Sequence, residues 1–102
     1  MSPQSLFVIV FTDRPGQGAL RAQHLTAHIA WLEDQRKIVP VGGSLRRELG
    51  ETPVGGLWLA RADSKETLDA LIRTDPFYLA GLRQGWEIFH WSKANAERLE
   101  LI

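Results

Sequence analysis

A chain of 102 residues, 44% of them apolar and 24% charged, has the length of one domain and enough apolar area to build a core. Twelve basic residues balance twelve acidic ones, which argues against nucleic acid or an anionic membrane surface as partner, since either calls for a basic surplus. With no cysteine there is no disulfide frame, thiol nucleophile or thiolate metal site. The opening Met1-Ser-Pro-Gln-Ser lacks the basic and apolar blocks of a signal peptide, and no apolar run approaches the ~20 residues of a membrane-spanning helix. The expected location is the cytoplasm.

Ser5 to Thr12 is a continuous β-branched and aromatic run and reads as a strand covered on both faces. Asp13-Arg14-Pro15-Gly16-Gln17-Gly18 breaks it with turn chemistry; the Gly16-x-Gly18 pair is too short for a nucleotide loop. A helix follows from about Ala19 to Lys37. On its wheel Ala22, Leu25, Ile29 and Leu32 share one arc, the predicted core-facing stripe. Arg21, His24, His28 and Trp31 form a second line along the border of that stripe, where a helix can lend polar groups to a cavity without losing its packing.

Ile38 to Leu45 is the second strand. Pro40 suggests an edge or a strand start, and Gly42-Gly43 a bulge or a close backbone approach. Arg46 to Pro53, with Arg46-Arg47, Glu48, Gly50 and Glu51, reads as a solvated hairpin loop. Val54 to Ala62 is the third strand, with Leu57 and Leu59 on one face and Trp58 and Ala60 on the other. Asp63-Ser-Lys-Glu66 resembles a capping box and opens a second helix that turns Leu68, Leu71 and Ile72 inward and ends near Arg73. Asp75-Pro76 restarts a short helical turn to Leu82, Asp75 being a good cap because Pro76 needs no N–H partner. Arg83 to Trp91 is the fourth strand, and Lys93 to Ile102 a short helix or an extended arm.

The order β-α-β-β-α-β, over residues 1–102 as a single domain without repeat or linker, predicts an α+β, ferredoxin-like fold: a four-stranded antiparallel sheet with two helices on one face. Two helices cover one face of such a sheet, yet Leu6 to Phe11 is apolar on both. Trp58, Trp86 and Trp91 add more apolar area than one helical layer uses. The remainder predicts a homodimer packed sheet against sheet with two-fold symmetry.

Two patches carry a resemblance to a known family. One is Arg21-x-x-His24-Leu, followed after a gap by Gly42. The other is Asp75-Pro76-Phe77, then Ala80-Gly81-Leu82, then a strand beginning near Trp86. In these the chain resembles the YCII-related (YciI-like) family of the dimeric α+β barrel superfamily, from Leu6 to about Trp91. It departs at Gly42-Gly43, where the family often has Gly-Pro. The resemblance implies a catalytic pair of histidine and aspartate at His24 and Asp75, with Arg21 at the position of an arginine often found one turn earlier. It also points to dehydrochlorinase chemistry on chlorinated hydroxyquinols, and more distantly to muconolactone isomerase and small monooxygenases.

The residues suit such chemistry. A neutral imidazole is a good general base near neutral pH, and a carboxylate on its other ring nitrogen fixes the tautomer and stabilises the imidazolium. The expected reading is a small-molecule enzyme of lyase or isomerase type, working without a cofactor in a cleft between sheet and helices. His24 moves the proton, Asp75 orients it, and Arg21 attracts a carboxylate or phenolate. His28, Trp31 and Gly42 line the substrate pocket, although Trp31 and Trp58 also suit plain core or dimer packing. His24 and His28 have the i, i+4 spacing of metal ligands, and Asp75 or Glu33 is the available third ligand. No HExxH-type glutamate lies between them, so no metal is expected. The alternatives are a binding or sensing module that uses the same pocket without turnover, and a haem- or oxygen-using monooxygenase.

Overall fold

Alternation along the first strand decides the layering. The computed structural model describes residues 4–98. In β1 (Ser5–Asp13) the residues Phe7, Ile9, Phe11 and Asp13 are buried, while Leu6, Val8 and Val10 between them are half-buried. Successive side chains of a strand point to opposite faces, so one face lies under helices and the other is open.

The remaining elements are α1 (Gly18–Asp34), β2 (Val41–Leu45), β3 (Gly55–Ala62), α2 (Lys65–Ile72), α3 (Pro76–Leu79) and β4 (Arg83–His90). The strands form one antiparallel sheet in the order β2-β3-β1-β4. This is the ferredoxin-like α+β arrangement, with β2 at an edge and Pro40 immediately before it, where a missing N–H costs no ladder bond. Ile9 pairs with Trp58 and Ile88, and Phe11 with Gly56 and Trp86, which stacks the covered face in register. With Leu68 and Ile72 of α2 these side chains make the core. Gly42 is a close approach: a Cβ there would meet Trp58 Cδ1 at 3.1 Å.

Two local expectations are corrected. The cap of α2 is Ser64, whose Oγ accepts from Thr67 N at 3.2 Å, and not Asp63. The covered face of α1 is also reversed. Arg21 and His28 are its buried residues, whereas Leu25 is 37% and Ile29 56% exposed. Only Leu32 of the predicted stripe reaches inward, its Cδ1 lying 3.6 Å from a Cβ placed on Gly42. The polar line is tolerated underneath because partners wait there, as the site shows. Residues 93–98 form neither helix nor strand, and 99–102 of the predicted C-terminal element lie outside the described residues. No described helix is long and apolar enough to cross a membrane.

Candidate active site

Asp75 is placed by local chemistry. It is the N-cap of α3, with Pro76 at the first helical position, and its Oδ1 accepts from Phe77 N at 3.0 Å. The same oxygen accepts from His28 Nδ1 at 2.7 Å. The cap therefore fixes the carboxylate, and the carboxylate fixes the imidazole. Asp75 is fully buried and its Oδ2 has no partner among the described residues. The His28 ring stacks on Phe77, centroids 3.9 Å apart and planes 13° from parallel. Its Nε2 makes no hydrogen bond with the described residues. The result is an imidazole locked at one nitrogen and without a partner among the described residues at the other.

The expectation that Asp75 meets His24 is therefore corrected: the carboxylate is bonded to His28, and no hydrogen bond joins His24 to it. His24 lies one turn earlier on α1 and is half-exposed. Both sit on the line of the helix wheel that also carries Arg21. Trp31 is half-buried and packs on Trp58, ring centroids 5.6 Å apart, and Gly42 lies against the same indole. These two shape the wall around Trp58.

A second cluster, absent from the sequence reading, adjoins the first. Asp13 ends β1 on the covered face and is buried. Arg83 Nη1 donates to Asp13 Oδ1 at 2.7 Å, and Arg21 Nε to Oδ2 at a longer 3.4 Å. Burial lowers the Arg83 guanidinium from its ordinary value, while the hydrogen bond and charge of Asp13, and the charge of Asp75, push it back up. Arg83 lies 4.3 Å from the centre of the Phe11 ring and 5.2 Å from that of Phe77, and Arg21 lies 5.0 Å from Phe77. Phe77 thus touches the imidazole and faces both cations, which joins the two clusters through one ring. Gly56 lies beside the Arg83 head, but its close approach is to the β2 backbone, where a Cβ would meet Gly43 O at 3.0 Å. Phe77 was visible as part of a motif. Asp13 and Arg83 were not, because a strand-end acid and a strand-start base 70 positions apart give no local signal.

At this end of the sheet a cavity of about 550 Å³ is lined by Asp13, Arg14, Arg21, Arg47, Thr52 and Gln84, among others, and not by His24, His28 or Asp75. Among the described residues no three His, Cys, Asp or Glu side chains are grouped to hold a metal ion.

An antiparallel sheet with helices on one face and an apolar second face is the unit from which dimeric α+β barrel proteins are made. The chain belongs to the YCII-related domain family, whose model matches residues 5–92. It is similar to the 5-chloro-2-hydroxyhydroquinone dehydrochlorinase (TftG) of Burkholderia phenoliruptrix, solved in complex with 2,5-dihydroxybenzoquinone. The identity is 31% over 85% of this chain and 93% of that one, with a TM-score of 0.76. SnoaB, a cofactor-independent oxygenase from Streptomyces nogalater, shares the fold at 17% identity over 94% of this chain and 100% of its own, with a TM-score of 0.51. A search of curated proteins found no significant match.

Proposed function

We propose that this YCII-family chain is an enzyme acting on a small organic molecule, and that it moves a proton in a lyase- or isomerase-type step without a required cofactor. At the family level the dehydrochlorinase relative supports small-molecule chemistry. The observation that carries the finer reading is the 2.7 Å bond from His28 Nδ1–H to Asp75, with Nε2 unpartnered among the described residues. In this reading His28 Nε2 takes the substrate proton and Asp75 positions the ring and stabilises the imidazolium. His24, which the family motif marks, serves as the second base from its half-exposed place one turn away. Arg21 holds the anionic end of the substrate, and Trp31 and Gly42 shape the wall.

The working unit in this reading is a homodimer joined through the open sheet face. That face carries Val8, Val10, Leu57 and Leu59, with Phe89 46% exposed.

The test uses the relative's named compounds as probes. The protein is assayed for chloride release from 5-chloro-2-hydroxyhydroquinone and related halogenated hydroxyquinols, and titrated with 2,5-dihydroxybenzoquinone while the three histidine rings are followed by NMR. Binding is expected to shift the His28 ring, and His28→Asn to lower turnover about 100-fold, the scale of a lost general base. His24→Asn is expected to cost less. Full turnover in His28→Asn rejects the assignment of the base to His28. Saturable binding with no turnover across the panel favours a binding module.

A further inference from the structure

The cavity between the β1–α1 loop and the β2–β3 loop is not absorbed by the proton-transfer reading, and its lining is unusual for a chain with zero net charge. Three arginines, Arg14, Arg21 and Arg47, face it, and Asp13 is the carboxylate that lines it among the described residues. Asp13 is already engaged by Arg21 and, behind the wall, by Arg83. The cluster is thus short of negative charge on its cavity side.

Arg21 makes the deficit specific. It is 9% exposed, yet its only side-chain hydrogen bond with the described residues is the long one from Nε to Asp13. Its two terminal nitrogens have no such partner among the described residues, and the residue lines the cavity. A guanidinium edge with two free N–H-bearing nitrogens matches a carboxylate or phosphate.

The same cavity receives the start of α1. The N-cap Gln17 makes no side-chain cap bond and the first turn holds no acidic residue. The first N–H groups of this 17-residue helix are therefore left for another acceptor, at the positive end of its dipole. Gly16, at φ +73°, makes the turn, and Gly18 sits against Thr52 of the facing loop, a Cβ there lying 3.4 Å from Thr52 Cγ2. Pro53, Val54 and Leu82 supply apolar wall beside these donors. A bare inorganic ion has no use for that wall.

We propose that this cavity binds a small organic oxyanion. Its acid group lies between the Arg21 head, Arg14, Arg47 and the first turn of α1, and its apolar part lies against Val54 and Leu82. The cavity of about 550 Å³ has room for a ring-sized acid. This deepens the functional reading through Arg21 alone; it uses neither His28 nor Asp75.

The test is binding, read separately from turnover. Benzoate, benzyl alcohol and inorganic phosphate are titrated against the whole chain with backbone amide NMR detection, for the wild type and for Arg14→Ala, Arg47→Ala and the exposed-surface control Arg36→Ala. Arg14 and Arg47 are exposed, so these variants leave the core intact, whereas Arg21→Ala disturbs the buried Asp13 pair. Benzoate is expected to saturate, to move the Gly16, Gly18 and Ala19 amides, and to bind more tightly than phosphate or benzyl alcohol. Its affinity is expected to fall about 3- to 10-fold in each cavity variant and not in Arg36→Ala, an effect of the order of one charge-assisted contact. Three results each overturn the proposal: benzoate binding no better than benzyl alcohol, phosphate binding better than benzoate, or Arg36→Ala weakening benzoate as much as Arg47→Ala. The outcome leaves the His28 turnover assay untouched, so either reading can fail alone.

Discussion

Asp75 shows how much one oxygen can carry. Its Oδ1 closes the first turn of α3 and receives His28, while Oδ2 stays buried without a partner among the described residues and its charge supports Arg83. Asp75→Ala removes the cap and the imidazole bond together and leaves a void in a fully buried position. We expect a loss of about 2.5–4 kcal/mol, adding roughly 1 for the cap and 1.5–3 for the charged hydrogen bond. Asp75→Asn keeps an acceptor of the same shape for Phe77 N and His28, and is expected to cost about 1 kcal/mol. Urea unfolding of both variants checks this, and equal losses would mean that shape matters less here than charge. The capping half of this role was legible in Asp75-Pro76. The partner was not: two histidines on one helix face offer the same chemistry, and a 47-residue separation leaves the choice to tertiary geometry.

Among the elements, the strands were the readable part. The continuous apolar run marked β1, the Leu57/Leu59 against Trp58/Ala60 alternation gave the faces of β3, and Pro40 pointed to an edge or a strand start, of which the structure shows both for β2. The α1 helix was misread for a physical reason. The wheel argument assumes that the covered face is the apolar one, because a buried charge is expensive. Here Arg21 is met by Asp13 and His28 by Asp75, so the cost is offset by partners outside the helix, and the Leu25–Ile29 side is left to solvent. The α2 helix ties to its surroundings by a similar device at the surface. Asp69 accepts from Arg73 Nε at 2.8 Å and from Trp86 Nε1 at 3.0 Å, and Arg73 Nη1 donates to Tyr78. The Arg73 hydrogen bond, with help from Trp86, holds the Asp69 carboxyl below its ordinary value of 3.8 against a smaller desolvation effect. A carboxylate depressed in the folded state contributes stability that is present above its unfolded pKa and lost as pH falls through the folded one. Asp69→Asn is therefore expected to lower the denaturation midpoint at pH 7, with the gap to wild type closing as pH falls below 3.8. A gap that persists unchanged at pH 2 would assign the effect to packing against Trp86 rather than to charge. Both groups are largely exposed, so the effect is expected to be small and to shrink with salt.

For the whole molecule, the question is what covers the second sheet face. Val8 pairs with Leu59 on one side and Phe89 on the other, and Val10 with Leu57, so the apolar side chains form a continuous patch across three strands. Val41 extends it to the edge strand through Leu59. Arg61, opposite Leu6, and Glu87, opposite Val10, bring charge to this face. Monomers seldom leave so large an apolar surface in water, and a patch rimmed by charge is the usual form of an interface. A two-fold axis through such a face makes the same patch serve both partners, which is why the strand pattern alone suggested a dimer. Light scattering on the eluting wild-type protein is expected to give twice the 11.5 kDa chain mass at micromolar concentration. Val8→Lys, which places a cation at the centre of the open face and leaves the helix-covered core untouched, is expected to elute as a folded monomer. A wild-type protein that stays monomeric, or a Val8→Lys protein that stays dimeric, would each remove the open face as the joining surface. The first result would also leave Phe89 and the half-buried valines needing some other partner of apolar character.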